Sequence, residues 1–229
     1  AVFQGYPMGK FRTDKDQFIL ERCRGQRVLD IGCVNHTLEA TLLPDWRHAQ
    51  ISKVATSVVG LDYEKDIVAQ LNQKGWKIVA GDAQNFDLRM EYPEGFTRIV
   101  ASELIEHLVD PGSFLRCARN HLAPGGELII STPHAYGFAF FLEVLIFGHE
   151  KINDDHTVTF SRKNMEWLMK KSGLRVKEFH WLIQDSSSMH MHHTLGSRLA
   201  AKLFFWAQCV AATVRSGFSK EMIVVAEKA

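Results

Sequence analysis

Apolar and polar positions follow a repeating order up to about residue 134. Short apolar runs, each closed by glycine or a charge, alternate with stretches whose apolar residues recur every three or four positions. The runs read as strands over 27–33 (RVLDIGC), 57–63 (SVVGLDY), 77–83 (KIVAGDA), 96–101 (FTRIVA) and 127–132 (ELIIST). Between them the spacing predicts helices over 14–24, from about 37 into the 42–43 region, over 64–75 and from 111 to about 122. An irregular stretch reaches to about 55. Gly25 and Gly75 stand where helices end, and Asp110-Pro111 reads as an N-cap followed by proline at the first helical position. The strand cores are apolar throughout, as in a parallel sheet buried on both faces.

The remainder is less regular. Residues 135–148 (AYGFAFFLEVLIFG) are almost wholly apolar. Residues 161–173 form an amphipathic pattern with Met165, Leu168 and Met169 on one side, and 174–182 read as a sixth strand. An apolar-rich helix is expected from 194 to about 216, where Leu195, Leu199, Leu203 and Trp206 make a packing stripe that docks on the 135–148 segment or pairs with a second copy of the chain. The last strand is 221–226. Repeats and low-complexity linkers are missing, so residues 1–229 read as a single α/β domain with lid insertions near 135–160 and 184–216.

Composition narrows the class. An apolar fraction of 46% and a charged fraction of 23% are ordinary for a globular protein, and 229 residues suffice for one domain with a large core. A formal net charge of +1 gives no overall electrostatic case for nucleic acid or an acidic partner. Cys23, Cys33, Cys117 and Cys209 form no C-x-x-C pair, which argues for reduced thiols in a cytoplasmic setting and against a zinc ribbon. A leader is not expected, and the 135–150 run is too short to span a bilayer. It reads as a core helix, an apolar acceptor pocket or a surface resting on lipid, core packing being the commonest fate of such a run. Val2-Phe-Gln-Gly5 reads as a vector remnant.

The candidate chemistry gathers at strand ends. Open parallel sheets bind ligands beyond the carboxyl ends of their strands, and Asp62, Asp82 and the turn after residue 101 all fall there. That turn reads Ser102-Glu-Leu-Ile-Glu-His-Leu108. At ~100° per helical residue, Glu103, Glu106 and His107 share an arc of about 100°, with Leu104, Ile105 and Leu108 opposite. Two carboxylates and an imidazole suit a divalent cation such as Mg²⁺ or Mn²⁺ better than a structural zinc. The alternative is a solvated helix start, where glutamate complements the dipole.

The motifs VLDIGC (28–33), VVGLDY (58–63), GDA (81–83), SELIEHL (102–108), LAPGGELIISTPH (122–134) and DHTVTFSRKNMEWLMKKSGL (155–174), in this order, resemble the class I S-adenosylmethionine (SAM) methyltransferases. The resemblance covers most of the chain. It implies a Rossmann-like, mostly parallel α/β sheet of seven strands with helices on both faces, the last strand antiparallel, and SAM across the ends of the first four. Gly32 would let backbone approach the methionine part, Asp62 would accept from the ribose hydroxyls, and Tyr63 would flank the adenine. Asp82 would accept from the adenine amino group beside Ala83, and Asp30, Cys33 and Ser102 complete the cofactor-binding candidates. The family's second glycine, two residues after Gly32, is Val34 here, and a side chain there is expected to shift the turn or the cofactor. A nicotinamide enzyme is the competing α/β reading, but its G-x-G-x-x-G is absent from 32–37.

The turn E-x-x-E-H, with a distant histidine ahead of a helix start, resembles the subset containing small-RNA 2′-O-methyltransferases and the O-methyltransferases of ubiquinone biosynthesis. By that likeness the metal ligands are Glu103, Glu106, His107 and His156, and His107, then His156, are the candidate bases. O-Methylation suits such a site, because a cation lowers the pKa of a bound hydroxyl and an imidazole can take its proton. The expected partner is a small-molecule or glycan hydroxyl. An RNA 2′-O-methyltransferase and a non-catalytic SAM-binding protein are the alternatives; near-zero net charge and the lack of a basic–aromatic stripe count against RNA. His134, just after the fifth strand, is read as a turn residue, with contact to the acceptor as the alternative. His190, His192 and His193 are read as belonging to a loop.

Overall fold

The computed structural model describes residues 10–12, 14–34, 37–149, 152–182 and 206–229. Seven strands build the sheet: β2 Arg27–Ile31, β3 Ser57–Asp62, β4 Ile78–Ala80, β5 Phe96–Ser102, β6 Leu122–Pro133, β7 Leu174–Leu182 and β8 Glu221–Lys228. A three-residue strand, β1 Lys10–Arg12, adds an eighth at one edge. The order is β1-β7-β8-β6-β5-β2-β3-β4. Among these strands only β8 runs antiparallel to its neighbours, so the expected mostly parallel sheet with a reversed last strand is what forms.

The period of two along each strand feeds two cores. On β2, Leu29 and Ile31 face one side, with Phe114 and Leu115 of α4 (Pro111–His121) and Met165 and Met169 of α6 (Arg162–Lys171). Val28 faces the other, with Phe18 and Ile19 of α1 (Lys15–Cys23) and Ile51 of α2 (Arg47–Val54). The helix starts follow capping chemistry. Asp14 accepts from Gln17 N at 2.8 Å, Asp110 from Ser113 N at 2.9 Å ahead of Pro111, and Ser161 from Asn164 N at 3.3 Å.

Three segments differ from expectation. The helix expected from 37 is a single 3₁₀ turn, Ala40–Leu42, and α2 lies in the stretch read as irregular. Pro44 accounts for this: it forces Leu43 into extended backbone (ψ 144) and delays the helix. The third strand is cut to three residues, and α3 (Lys65–Gln73) packs beside it through Val68 and Leu71. The apolar run does form a helix, α5 (Phe138–Phe147), but it is not a core helix. Ala139 is buried, whereas Phe141, Leu145 and Ile146 are exposed. Within 194–216, helical structure is described over 206–214, with Trp206 exposed; Leu195, Leu199, Leu203 and the histidines at 190, 192 and 193 lie outside the described residues. Among the described residues no helix is long and apolar enough to cross a membrane.

His134 pins the far end of β6. Its backbone N donates to Lys220 O at 2.7 Å and it bridges to Phe160, while its ring, 2% exposed, packs edge-on against Trp181. Burial pulls the imidazole down to about 4, against hydrogen bonds to the backbone of Ser219 and Gly217 that favour the charged form.

Two outcomes are expected. Gly60, between β2 and β4, has no room for a Cβ, which would stand 2.6 Å from Cys33 Sγ and 2.9 Å from Ile78 Cγ1. Gly60→Ala should therefore cost about 1–3 kcal/mol, read from the urea midpoint. Below about pH 6.5 the unfolded chain protonates His134 while the folded chain does not until about 4. That contribution to stability is present above 6.5 and lost as pH falls toward 4. His134→Asn, which cannot titrate, should flatten the decline in urea midpoint between pH 7 and 4.5; an equal slope in both proteins would assign the decline elsewhere.

Candidate functional site

The carboxyl ends of β6, β5, β2 and β3, parallel neighbours in the sheet, lie side by side along one edge. β2 runs into Gly32, where two features favour glycine: a φ of +72, and Leu104 Cδ1 lying only 3.0 Å from where a Cβ would stand. Gly32 N donates to Leu61 O at 2.8 Å, and Cys33 O accepts from Trp46 Nε1 at 2.7 Å. Val34, standing where the related enzymes have glycine, is 7% exposed and packs with Cys33, Trp46, Val68, Leu71 and Ile78. Its side chain goes into the core, and its N–H donates to Asp62 Oδ2 at 2.7 Å. Asp62 Oδ1 accepts from Glu64 N at 3.1 Å. Burial pushes the Asp62 carboxyl above its usual range, against those backbone hydrogen bonds. This carboxylate thus ties the β2 turn to the end of β3.

The other cofactor candidates divide. Tyr63 and Asp82 are exposed just past the carboxyl ends of β3 and β4, and Asp82 Oδ1 accepts from Gln84 N at 2.8 Å. Ala83 is buried beside Asp82. Ser102 is buried with its Oγ 2.7 Å from Ser131 Oγ. Asp30 is buried below the turn, its Oδ2 2.9 Å from Nδ1 of His48, another buried side chain. Sequence reasoning missed His48, because it falls in the stretch read as irregular and its partner lies on a different element.

The turn after β5 is not the helical start expected. Glu103 takes a φ of +52, Leu104 leaves the helical region, and Ile105–His107 is one 3₁₀ turn. The 100° arc is therefore not what assembles the site. Glu106, His107 and His156 come together instead, each offering a ligand atom within 4.8 Å of the others. His156 arrives because Thr157 N donates to Glu106 O at 2.8 Å and Thr157 Oγ1 to Leu108 O at 2.7 Å, strapping the later segment along the turn. The two imidazoles stand edge to face at 4.6 Å.

Glu106 is 1% exposed. Its Oε2 accepts from Thr132 Oγ1 at 2.9 Å, but its Oε1 is buried with no partner among the described residues, as is His156 Nδ1. Burial, and after it the carboxylate of Glu103, push the Glu106 carboxyl up to about 7. Burial, then His107, hold the His156 imidazole below its usual value. Unpaired buried polar atoms are costly. A carboxylate oxygen and an imidazole nitrogen, both lacking partners beside a second imidazole, are a donor set that fits a divalent cation. His107 Nδ1 lies 3.1 Å from Asp155 Oδ2, a contact of the kind that orients a ligand histidine.

Glu103 is not in that group. Its Oε1 accepts from Lys15 Nζ at 3.0 Å and from Ser131 Oγ at 2.7 Å. Lys15 also reaches Glu221 Oε2 at 3.3 Å. Burial works against this ammonium, but the two carboxylates outweigh it and hold its pKa above the usual lysine value. Lys15 is a second residue that the sequence did not reveal, since its partners are 88 and 206 positions away.

Comparison with known proteins bears on the family and the fold. Residues 9–178 match the family described as "Methyltransferase domain". The human mitochondrial ubiquinone biosynthesis O-methyltransferase is 26% identical over 187 residues, covering 73% of this chain and 46% of that protein. The ubiquinone biosynthesis O-methyltransferase of Pseudomonas syringae pv. tomato is 34% identical over 123 residues, covering 50% of this chain and 49% of that one. The chain thus spans about half the length of these relatives. The crystal structure of a SAM-dependent methyltransferase from Archaeoglobus fulgidus superposes with a TM-score of 0.58 at 15% identity, over 93% of this chain and 90% of that one, a likeness of fold. With a family match over most of its length, a sheet of the expected order and its acids at the strand ends, the chain belongs to the class I SAM-dependent methyltransferases.

Proposed function

We propose that this domain transfers a methyl group from SAM to a hydroxyl of a small molecule, with a divalent cation, Mg²⁺ or Mn²⁺, held by Glu106, His107 and His156. The observation that carries the reading is the pair of buried, unpartnered atoms, Glu106 Oε1 and His156 Nδ1, beside His107 at the end of β5. Glu103 stays in the proposal as a neighbouring negative charge, since Lys15 and Ser131 already engage its Oε1. On the cofactor side, Gly32 and Cys33 offer backbone to the methionine part, Asp62 and Tyr63 serve the ribose and adenine, and Asp82 with Ala83 closes the adenine end. Asp30 and Ser102 support them from beneath, through His48 and Ser131.

An acceptor oxygen must shed its proton as the carbon–oxygen bond forms. Bound at this site, a divalent cation would lower the pKa of a hydroxyl and fix its direction. A nitrogen that binds the cation cannot also take the proton, so the base is whichever imidazole the cation leaves uncommitted: His107 first, whose Nδ1 faces Asp155 Oδ2 at 3.1 Å, then His156. A glycan hydroxyl is chemically equivalent, but the relatives named as ubiquinone biosynthesis O-methyltransferases favour a small-molecule acceptor. Cytoplasmic placement belongs to the same proposal and rests on the four free thiols.

Mn²⁺ binding followed by electron paramagnetic resonance, and SAM binding by calorimetry, test this together. Glu106→Gln and His156→Ala should lose saturable Mn²⁺ binding and keep SAM affinity within about threefold. Methyl transfer to a panel of hydroxylated acceptors should fall by about a hundredfold or more. Full activity in chelator and in both variants would remove the cation from the reaction. Failure of the wild-type chain to bind SAM would remove the reaction itself.

A further inference from the structure

Helix α5 carries one charged residue, Glu143, in an otherwise apolar sequence, FAFFLEVLIF. The helix borders a pocket of about 220 Å³ whose walls are Phe140, Phe141, Val144 and Ile152, with Ala135 and Thr159 at its edge and Glu143 in its lining. Glu143 Oε2 is shut off from solvent and has no hydrogen-bond partner among the described residues. Lys220 Nζ lies over the Phe140 ring, 5.5 Å from its centroid. Glu143 is half-buried, and an oxygen of its carboxylate shut off from solvent without a donor is unfavourable unless something supplies one, a burden leucine would not impose.

Two stretches of chain run from the Glu106–His156 cluster to the pocket's edge. Thr132, which donates to Glu106, is three residues before Ala135; His156 is three residues before Thr159. Three residues span at most about 11 Å. Ala135 N donates to Phe160 O at 2.8 Å, which holds the two strands together at the pocket's edge.

We infer that this pocket seats the non-reacting end of the acceptor, and that the acceptor is a hydroxylated amine whose cationic nitrogen pairs with Glu143. The inference rests on the O-methyltransferase reading above. Volume sets the frame: a cavity of about 150 Å³ takes a benzene ring, so this one takes a substituted ring or a short alkyl chain. Charge sets the head group. A carboxylate only accepts, its bonds to a cationic donor are about twice as strong as neutral ones, and an anionic ligand would be repelled.

Three probes of one shape test the pocket: phenethylamine, phenethyl alcohol and 3-phenylpropionate, titrated by calorimetry into the full chain. Phenethylamine should bind about tenfold or more tightly than the alcohol, and 3-phenylpropionate more weakly than either. Glu143→Gln should erase the preference for the amine. Val144→Trp, which fills the pocket, should weaken amine and alcohol alike. An amine that binds no better than the alcohol, or equally well to the wild type and Glu143→Gln, overturns the inference. The same samples are titrated with SAM and Mn²⁺. If those bind while the amine preference is missing, the pocket assignment alone falls. If the preference stands while SAM fails to bind, the ligand class of the pocket survives and its role as an acceptor seat falls with the methyl-transfer reading.

Discussion

The site depends on how the ends of β5 and β6 are locked together at Glu103. Its backbone N donates to Ser131 O, its Oε1 accepts from Ser131 Oγ, and Ser131 Oγ in turn meets Ser102 Oγ. These contacts hold a non-glycine residue at a φ of +52, a conformation that costs an L-residue about 1–2 kcal/mol. The effect is directional. A chain leaving β5 in extended backbone would carry on along the strand axis. Turned at Glu103, it doubles back so that Glu106 lies beneath Thr132 and can meet a histidine from 50 residues later. Lys15 keeps the Glu103 carboxylate from repelling its neighbours outright, by pairing with it from the first helix.

A similar constraint governs the turn after β2. A glycine-rich loop is the usual means of bringing backbone close to a cofactor, yet only Gly32 is retained, and Val34 follows. The valine is accommodated because its side chain turns into the cluster around Trp46, leaving its N–H to Asp62. One carboxylate therefore holds the loop and ties it to the end of β3.

Much of this was legible in the sequence, for physical reasons that differ by element. The strands were legible because burial on both faces leaves a continuous apolar run, and the acids at 62 and 82 follow from where such runs stop. Glu106, His107 and His156 were legible as residue types in a motif, but the helical geometry invoked for them was not the one that forms, because a left-handed residue leaves no mark in hydrophobic periodicity. Pro44 marks a break that the apolar spacing around it conceals. Lys15, His48 and Glu143 were illegible in a stronger sense. Each matters through something remote in sequence or through the lack of a partner, and no local pattern encodes either.

Among the described residues, the sheet's two margins are its shortest strands, β1 and β4, each of three residues. Strands of that length expose only a few amides to a neighbouring molecule, too few to template the growth of a sheet from one chain into the next. The long apolar strands β5 and β6 lie in the interior with a strand on either side, while β7, covered by β1 only at His180–Leu182, carries Arg175, Lys177 and Glu178 along the rest of its length, charges that discourage edge pairing. A protein that leaves several aromatic and aliphatic side chains of α5 exposed thus presents them on a helix, where self-association would be a matter of reversible surface contact and not of fibrous assembly.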